Sequence, residues 1–296
     1  MSQRLRVGVV GLGARWRRHY RPALAALADR FAVAAVTDPS PRRAAAAARR
    51  LGCAAAPGVV ALLDQRLDAL LLCGRPWYRL WPLEPACRVG TPVYCGPSLA
   101  HDAGRADALV RQARAAGLPV MAELLPRLAP ATDRLRRLLP RLGRLTAVVA
   151  TAERPRRAAG ADAARAAGLA LLDWCAAVLG RPPAAAHGVA APADGHAAWR
   201  LDFADAVGQL VTWPGPGRRG GARLRVVGER GAAEAVLPGR VRWRLGGRRY
   251  AAAASAAPPV RRALERFHAA LSAGHAPEPN LDDAYQALAL LRAAGA

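Results

Sequence analysis

Apolar residues in this chain come first in short unbroken runs divided by helical stretches, and later in short segments divided by Gly and Pro. Leu5 to Val10, Phe31 to Thr37, Ala69 to Cys73, Pro92 to Cys95 and Pro119 to Glu123 are runs of the first kind. Such runs suit strands buried on both faces, as in a parallel sheet. Between them the pattern predicts helices from near Ala14, over Ser40 to Leu51, Gly58 to Asp64, Trp77 to Val89 and His101 to Ala116. This alternation predicts an α/β chain with a parallel Rossmann-type sheet over residues 1–122.

Beyond residue 122 the pattern predicts a helix (Ala129 to Leu139), a strand (Leu145 to Thr151), a loop (Arg154 to Gly160) and a helix (Asp162 to Leu179) stopped by Gly180 and Pro182. Five short strands then follow: Trp199 to Phe203, Gly208 to Trp213, Arg223 to Val227, Ala232 to Leu237 and Val241 to Leu245. Their spacing predicts an open, mainly antiparallel sheet. Ala251 to Ala257 reads as a linker, before closing helices at Val260 to Ala273 and Leu281 to Ala293. Residues 123–296 are thus expected to form a C-terminal α+β domain for substrate binding and oligomerisation, with helix 281–293 placed to pack back on the first domain.

Gly11 and Gly13 follow the first strand directly, and Asp38 ends the second. A strand, a glycine turn, a helix, a second strand and an acid form the first half of a dinucleotide-binding unit. Gly11 permits the turn, Gly13 lets backbone approach a pyrophosphate, and the helix starting near Ala14 offers free N–H groups. Asp38 is placed to accept hydrogen bonds from a ribose and to repel a 2′-phosphate, which favours NAD over NADP. Trp16 stands where a third glycine is usual. With Arg15, Arg17 and Arg18 it has two readings, a clamp on the pyrophosphate or a filler of its place.

The formal charge is +23, and the 44 basic residues are all arginine. Together with the abundance of Ala, Gly and Pro this resembles a GC-rich codon bias, and no nucleic-acid-reading motif accompanies the dispersed arginines. Salt-sensitive, sequence-blind adhesion is expected of so basic a surface, and specific nucleic-acid recognition is not. The five cysteines are scattered, which favours reduced, mostly buried thiols over disulfides or zinc. The six histidines form no metal-like cluster, and no apolar run is long enough to span a bilayer, so a cytoplasmic protein is expected.

The stretches RVGVVGLG, AVTDPSPRRA, LDALLLCGRPWYRLWPLEPACRVGTPVYCGPSLA, GLALLDWCAAVLGRPP and RLRVVGERGAAEAVLP, in this order, resemble the Gfo/Idh/MocA family of oxidoreductases. The closing ALSAGHAPEPNLDDAYQALALLRAA is similar to that family's last helix. The resemblance covers nearly the whole chain. It implies NAD(P)-linked redox chemistry on sugars, cyclitols or related small molecules, and an open sheet that often makes homo-oligomers. It also implies cofactor contacts from Gly11, Gly13, Ala14, Arg15, Trp16, Asp38, Arg75, Pro76, Cys95 and Pro97.

Family members carry Glu-Lys-Pro after the fifth strand, where this chain has Cys95, Gly96 and Pro97. The family motif Asp-x-Gly-x-His-x-x-Asp falls on Ala166, Gly168, Ala170 and Asp173, and a histidine common after the fourth strand falls on Leu80. The usual lysine and histidine are therefore replaced by Gly96 and Ala170, and restoring both is the obvious rescue. Alcohol oxidation needs a group to take the hydroxyl proton. The remaining candidates are Tyr78, which has a packing reading; Cys95, which has a small-hydrophobe reading; and Arg127 with Asp173, which form an ion pair across the domain junction or anchor an anionic ligand. An oxidoreductase with altered residues and a non-catalytic, ligand-binding pseudoenzyme both stand.

Overall fold

The computed structural model describes residues 4–73, 78–96, 103–155, 160–190, 195–216, 220–253 and 258–295. By contacts the chain divides into two compact units, residues 1–123 with 260–285, and residues 124–259 with 286–296.

The first unit holds a six-stranded parallel sheet built from β1 (Leu5–Val10), β2 (Phe31–Thr37), β3 (Ala54–Ala55), β4 (Ala69–Leu72), β5 (Val93–Cys95) and β6 (Val120–Ala122). Its order, β3-β2-β1-β4-β5-β6, is that of a Rossmann sheet, whose ligand crevice lies at the carboxyl ends where the order reverses, beside β1 and β4. All four residues of β4 are buried, as a strand covered on both faces requires.

After the glycine loop the chain is helical from residue 14 to 25, but Trp16–Tyr20 winds as a π-turn before α1 (Arg21–Ala25). The wider turn brings Trp16 and Tyr20 both into the buried face. The helices α2 (Pro41–Leu51), α3 (Val59–Leu63), α4 (Leu83–Val89) and α5 (Ala103–Ala115) complete the alternation. Only Leu83–Val89 of the helix expected over Trp77 to Val89 forms, because residues 78–82 turn instead and Arg79 adopts φ 50°; Trp77 lies outside the described residues.

The second unit opens with α6 (Leu125–Leu128) and α7 (Pro130–Leu138) in place of one expected helix. Pro130 explains the break. It forces the preceding residue out of helical conformation, and Ala129 has ψ 142°. Then come β7 (Leu145–Pro155), α8 (Ala161–Leu179), β8 (Ala185–Ala190), β9 (Ala197–Asp202), β10 (Val207–Gly215), β11 (Gly221–Gly228), β12 (Gly231–Val236), β13 (Arg240–Leu245) and β14 (Arg248–Ala253). These strands pair in the order β14-β13-β12-β11-β7-β10-β9-β8, antiparallel throughout except for β10 on β7.

Arg154 and Pro155, expected in a loop, extend β7, and Ala251–Ala253, expected in a linker, lie in β14. The cause of the second difference is Gly246-Gly247. With φ 53° and 79° this pair makes a two-residue hairpin turn and returns the chain to the sheet. Residues 156–159 and 254–257 lie outside the described residues.

One face of this sheet is covered by α7 and α8. Gly168 lets α8 approach β9, since a Cβ there would come 2.8 Å from the Trp199 ring. At one edge the Gly188 N–H of β8 donates to the Ala294 carbonyl at 3.2 Å. The closing helices are α9 (Pro259–Ser272) and α10 (Leu281–Ala293). From α9, Phe267 meets the edge of Tyr94 at 5.7 Å and His268 that of Phe31 at 5.3 Å, so α9 packs on the Rossmann unit.

Candidate functional site

At the carboxyl ends of β1 and β2, Gly11 has φ 89° and its N–H donates to the Thr37 carbonyl at 2.9 Å, which fixes the turn. Around Gly13 a Cβ would meet nothing within 4 Å. The loop therefore leaves open space for a phosphate where backbone N–H groups begin a helix. Ala14 is exposed and Arg15 half-buried beside it.

Trp16 is only 3% exposed and lies beside α2, where Ala46 and Ala47 join it around a cavity of about 140 Å³. The large ring is thus housed against small residues, leaving the space at Gly13 open. Arg17 lines the same cavity, and Arg18 is exposed.

The Asp38 carboxylate is engaged by its own surroundings. Oδ2 accepts from the Leu12 N–H at 2.8 Å, and Oδ1 accepts from the Ser40 N–H at 2.9 Å and lies 3.1 Å from Arg43 Nε. A carboxylate offers about four acceptor positions, so three of those of Asp38 are filled, and its side chain is 4% exposed. The sequence pattern places Asp38 correctly but does not show that it also ties the glycine loop to the second strand.

Beside the carboxyl ends of β5 and β6 lies a polar cluster that sequence reasoning missed. Glu123, whose side chain is 1% exposed, pairs through Oε1 with Arg15. Its Oε2 accepts hydrogen bonds from the hydroxyls of Tyr20 and Tyr94, the latter at 2.9 Å. Burial raises the Tyr20 hydroxyl to about 12 and pushes Tyr94 well above the ordinary tyrosine value, so both remain donors at neutral pH. The one local signal was an acid closing the apolar run Val120 to Ala122.

Gly96 follows β5, and a Cβ built on it would stand 2.5 Å from the Leu72 carbonyl oxygen and 3.7 Å from the Tyr20 hydroxyl. Its N–H lies 3.2 Å from that carbonyl. Backbone thus fills the space where a side chain would begin.

Of the remaining candidates, Tyr78 is 4% exposed and sits in a turn, not on the first turn of a helix as expected. Leu80 is fully buried. Cys95 is 2% exposed, and burial raises its thiol to about 12, so it carries no thiolate at neutral pH. Arg75, Pro76 and Pro97 lie outside the described residues.

Arg127 and Asp173 form an ion pair at 3.1 Å. Both belong to the second unit, so the pair lies within one unit and not across a junction as expected. Asp173 is on the buried side of α8, and Ala170, one turn earlier, is half-buried. Among the described residues no group of His, Cys, Asp or Glu could hold a metal ion, and no helix is long and apolar enough to cross a membrane.

The thiols give a direct check of this packing. Burial raises all five thiols, but Cys73, Cys95 and Cys175 are buried, whereas Cys53 and Cys87 are only half-buried and so within reach of a reagent. A thiol reagent at neutral pH is expected to modify Cys53 and Cys87 in the native protein and the other three only after denaturation. Rapid modification of Cys95 in the native protein would contradict the structure of the β5 end.

A six-stranded Rossmann sheet with an open glycine loop and an acid at the tip of β2 is the framework of a dinucleotide-binding unit, and an α+β unit follows it in the chain. Residues 5–124 match the Gfo/Idh/MocA family model, described as an oxidoreductase family with an NAD-binding Rossmann fold. The matched family is described as NAD-binding, and the matched stretch contains the glycine loop and Asp38.

Among solved structures the chain is similar to a dehydrogenase from Clostridium difficile, at 12% identity and TM-score 0.84, covering 98% of each chain. It is similar to a UDP-N-acetylglucosamine 3-dehydrogenase from Acidithiobacillus ferrooxidans, at 25% identity and TM-score 0.82, covering 99% of this chain and 98% of that one. A candidate myo-inositol dehydrogenase from Sinorhizobium meliloti aligns at 22% identity and TM-score 0.78, over 98% of this chain and 97% of that one. No curated protein matches the sequence at a significant level.

Proposed function

We infer that the protein binds NAD together with a sugar- or polyol-like small molecule and is impaired in, or devoid of, ordinary alcohol oxidation. The carbonyl of Leu72 at Gly96 carries this reading, because it bars any side chain at the position from which family members project their lysine toward the reacting hydroxyl. When bound, NAD supplies a hydride acceptor. The chain's own residues orient it: the loop at Gly13 receives the pyrophosphate, and Asp38 at the tip of β2 stands where the adenosine ribose would lie.

The sugar-like ligand class rests on the family and on the two similar structures named for a nucleotide sugar and an inositol. Without a lysine in the chain and with no acid or base at Ala170, the substrate proton has neither of its usual acceptors. Each such group ordinarily contributes about a hundred- to ten-thousand-fold. A screen of sugars, inositols and nucleotide sugars with NAD should show little or no reduction. Turnover of roughly one per second or faster on any of them would overturn the impaired-catalysis reading.

NAD should bind more tightly than NADP, because a 2′-phosphate would meet the Asp38 carboxylate. Arg43 is already beside that position. In an Asp38→Ser variant the freed guanidinium should move the NADP-to-NAD affinity ratio toward NADP by roughly tenfold or more, the size of one charge-assisted hydrogen bond. Titration calorimetry of both cofactors on both proteins measures this, and an unchanged ratio would remove Asp38 from cofactor discrimination.

A further inference from the structure

The helical stretch after the glycine loop and α2 bring arginines to the same small space. Arg17 and Arg21 from the first, and Arg43 and Arg50 from α2, line the cavity of about 140 Å³ at Trp16. All of them belong to the first unit, and Gly13 does not line the cavity. Arg43 lies 3.1 Å from Asp38. Among the described residues Arg17, Arg21 and Arg50 form no ion pair.

Four like charges around one space repel one another, and Arg17 and Arg21 stand only four residues apart. Arg43 is in the first turn of α2, where the positive end of the helix disfavours a cation, and that turn carries no acid. Arg17 itself lies in the π-turn, which the Arg21 N–H closes on the Trp16 carbonyl, and π-turns recur at functional sites. An anion seated among the guanidinium groups would offset this repulsion.

We propose that the cavity binds a compact polyphosphate anion, separately from the phosphate space at Gly13. Its volume is well below the roughly 300–1,000 Å³ of sites for larger organic ligands, so a small ion fits and a nucleotide does not. Arg43 and Arg50 are seven residues apart, about 10 Å along α2, a span suited to two linked phosphoryl groups and not to one. Two such groups carry about −3 at neutral pH, which matches the three arginines without a carboxylate partner. Guanidinium forks suit phosphate oxygens.

Titration calorimetry with inorganic pyrophosphate near physiological salt tests this. One ion should bind per chain, and the triple variant Arg17→Gln, Arg21→Gln, Arg50→Gln should weaken it at least about tenfold, a modest loss for three charge-assisted hydrogen bonds. Arg17→Gln and Arg50→Gln alone, one from each helix, should each weaken it by roughly threefold or more. Arg17 and Arg50 are exposed, so these single variants keep the fold. A control carrying Arg111→Gln, Arg137→Gln and Arg266→Gln removes the same charge at exposed positions elsewhere and should bind as the wild type does. No binding by the wild type, or equal losses in the triple variant and the control, would overturn the proposal. So would displacement of pyrophosphate by NAD, which would put the ion at Gly13, or by NADP alone, which would give the arginines to a 2′-phosphate.

Discussion

Replacing Glu123 by alanine is expected to lower stability by about 2–5 kcal/mol, chiefly the cost of leaving two buried hydroxyl donors without an acceptor. Arg15 would lose its partner, and the Tyr20 and Tyr94 hydroxyls would lose their shared acceptor in the same step. The double variant Arg15→Met with Glu123→Leu removes both charges. It should be less destabilised than Glu123→Ala alone, because the half-buried guanidinium is removed together with its partner and leucine refills the space. Urea denaturation of the three proteins, followed by circular dichroism, measures the order. A Glu123→Ala protein within about 0.5 kcal/mol of wild type, the range of an ordinary surface change, would show the cluster to be energetically idle.

The second large effect concerns Gly96. A lysine there begins with a Cβ 2.5 Å from the Leu72 carbonyl oxygen, closer than such atoms approach, and the obstacle is backbone. Gly96→Ala should already cost about 1–3 kcal/mol, as overpacking does in a tight interior. Gly96→Lys should cost at least as much, and with Ala170→His it should restore no NAD reduction. The obvious rescue therefore fails for a steric reason. A Gly96→Lys, Ala170→His protein that folds with wild-type stability and oxidises a polyol would refute this account of the β5 end.

The Rossmann half was legible in the sequence because its signals are local. A wholly apolar run such as Ala69–Leu72 is what a doubly covered strand requires, and glycines after β1 with an acid after β2 fall within one supersecondary unit. The candidate site was legible only where it shared that locality. Tyr20 and Glu123 meet across 103 residues of chain, and Tyr94 reaches the same oxygen across 29. No periodicity encodes such a meeting, and the π-turn that helps to aim Tyr20 has no residue signature here.

The second sheet was less legible at its margins. β8 holds three alanines and a glycine among its six residues, so it carries little strand propensity, and backbone pairing with β9 places it. The turn that makes β14 was readable in Gly246-Gly247. The alanines after it disguised the strand.

The two ends of the eight-stranded sheet face different hazards. At β8 the chain's own carboxyl-terminal segment takes the Gly188 N–H, and a Cβ there would come 2.6 Å from the Ala294 oxygen, so that border is blunted by covering. At β14 the outer strand reads Arg-Arg-Tyr-Ala-Ala-Ala and presents open backbone to solvent. An exposed alanine-rich border invites a stray strand to add to it, and adjacent cationic side chains are a common deterrent to that addition. Arg248 and Arg249 thus act as gatekeepers against aggregation through this border, by a repulsion that added salt weakens.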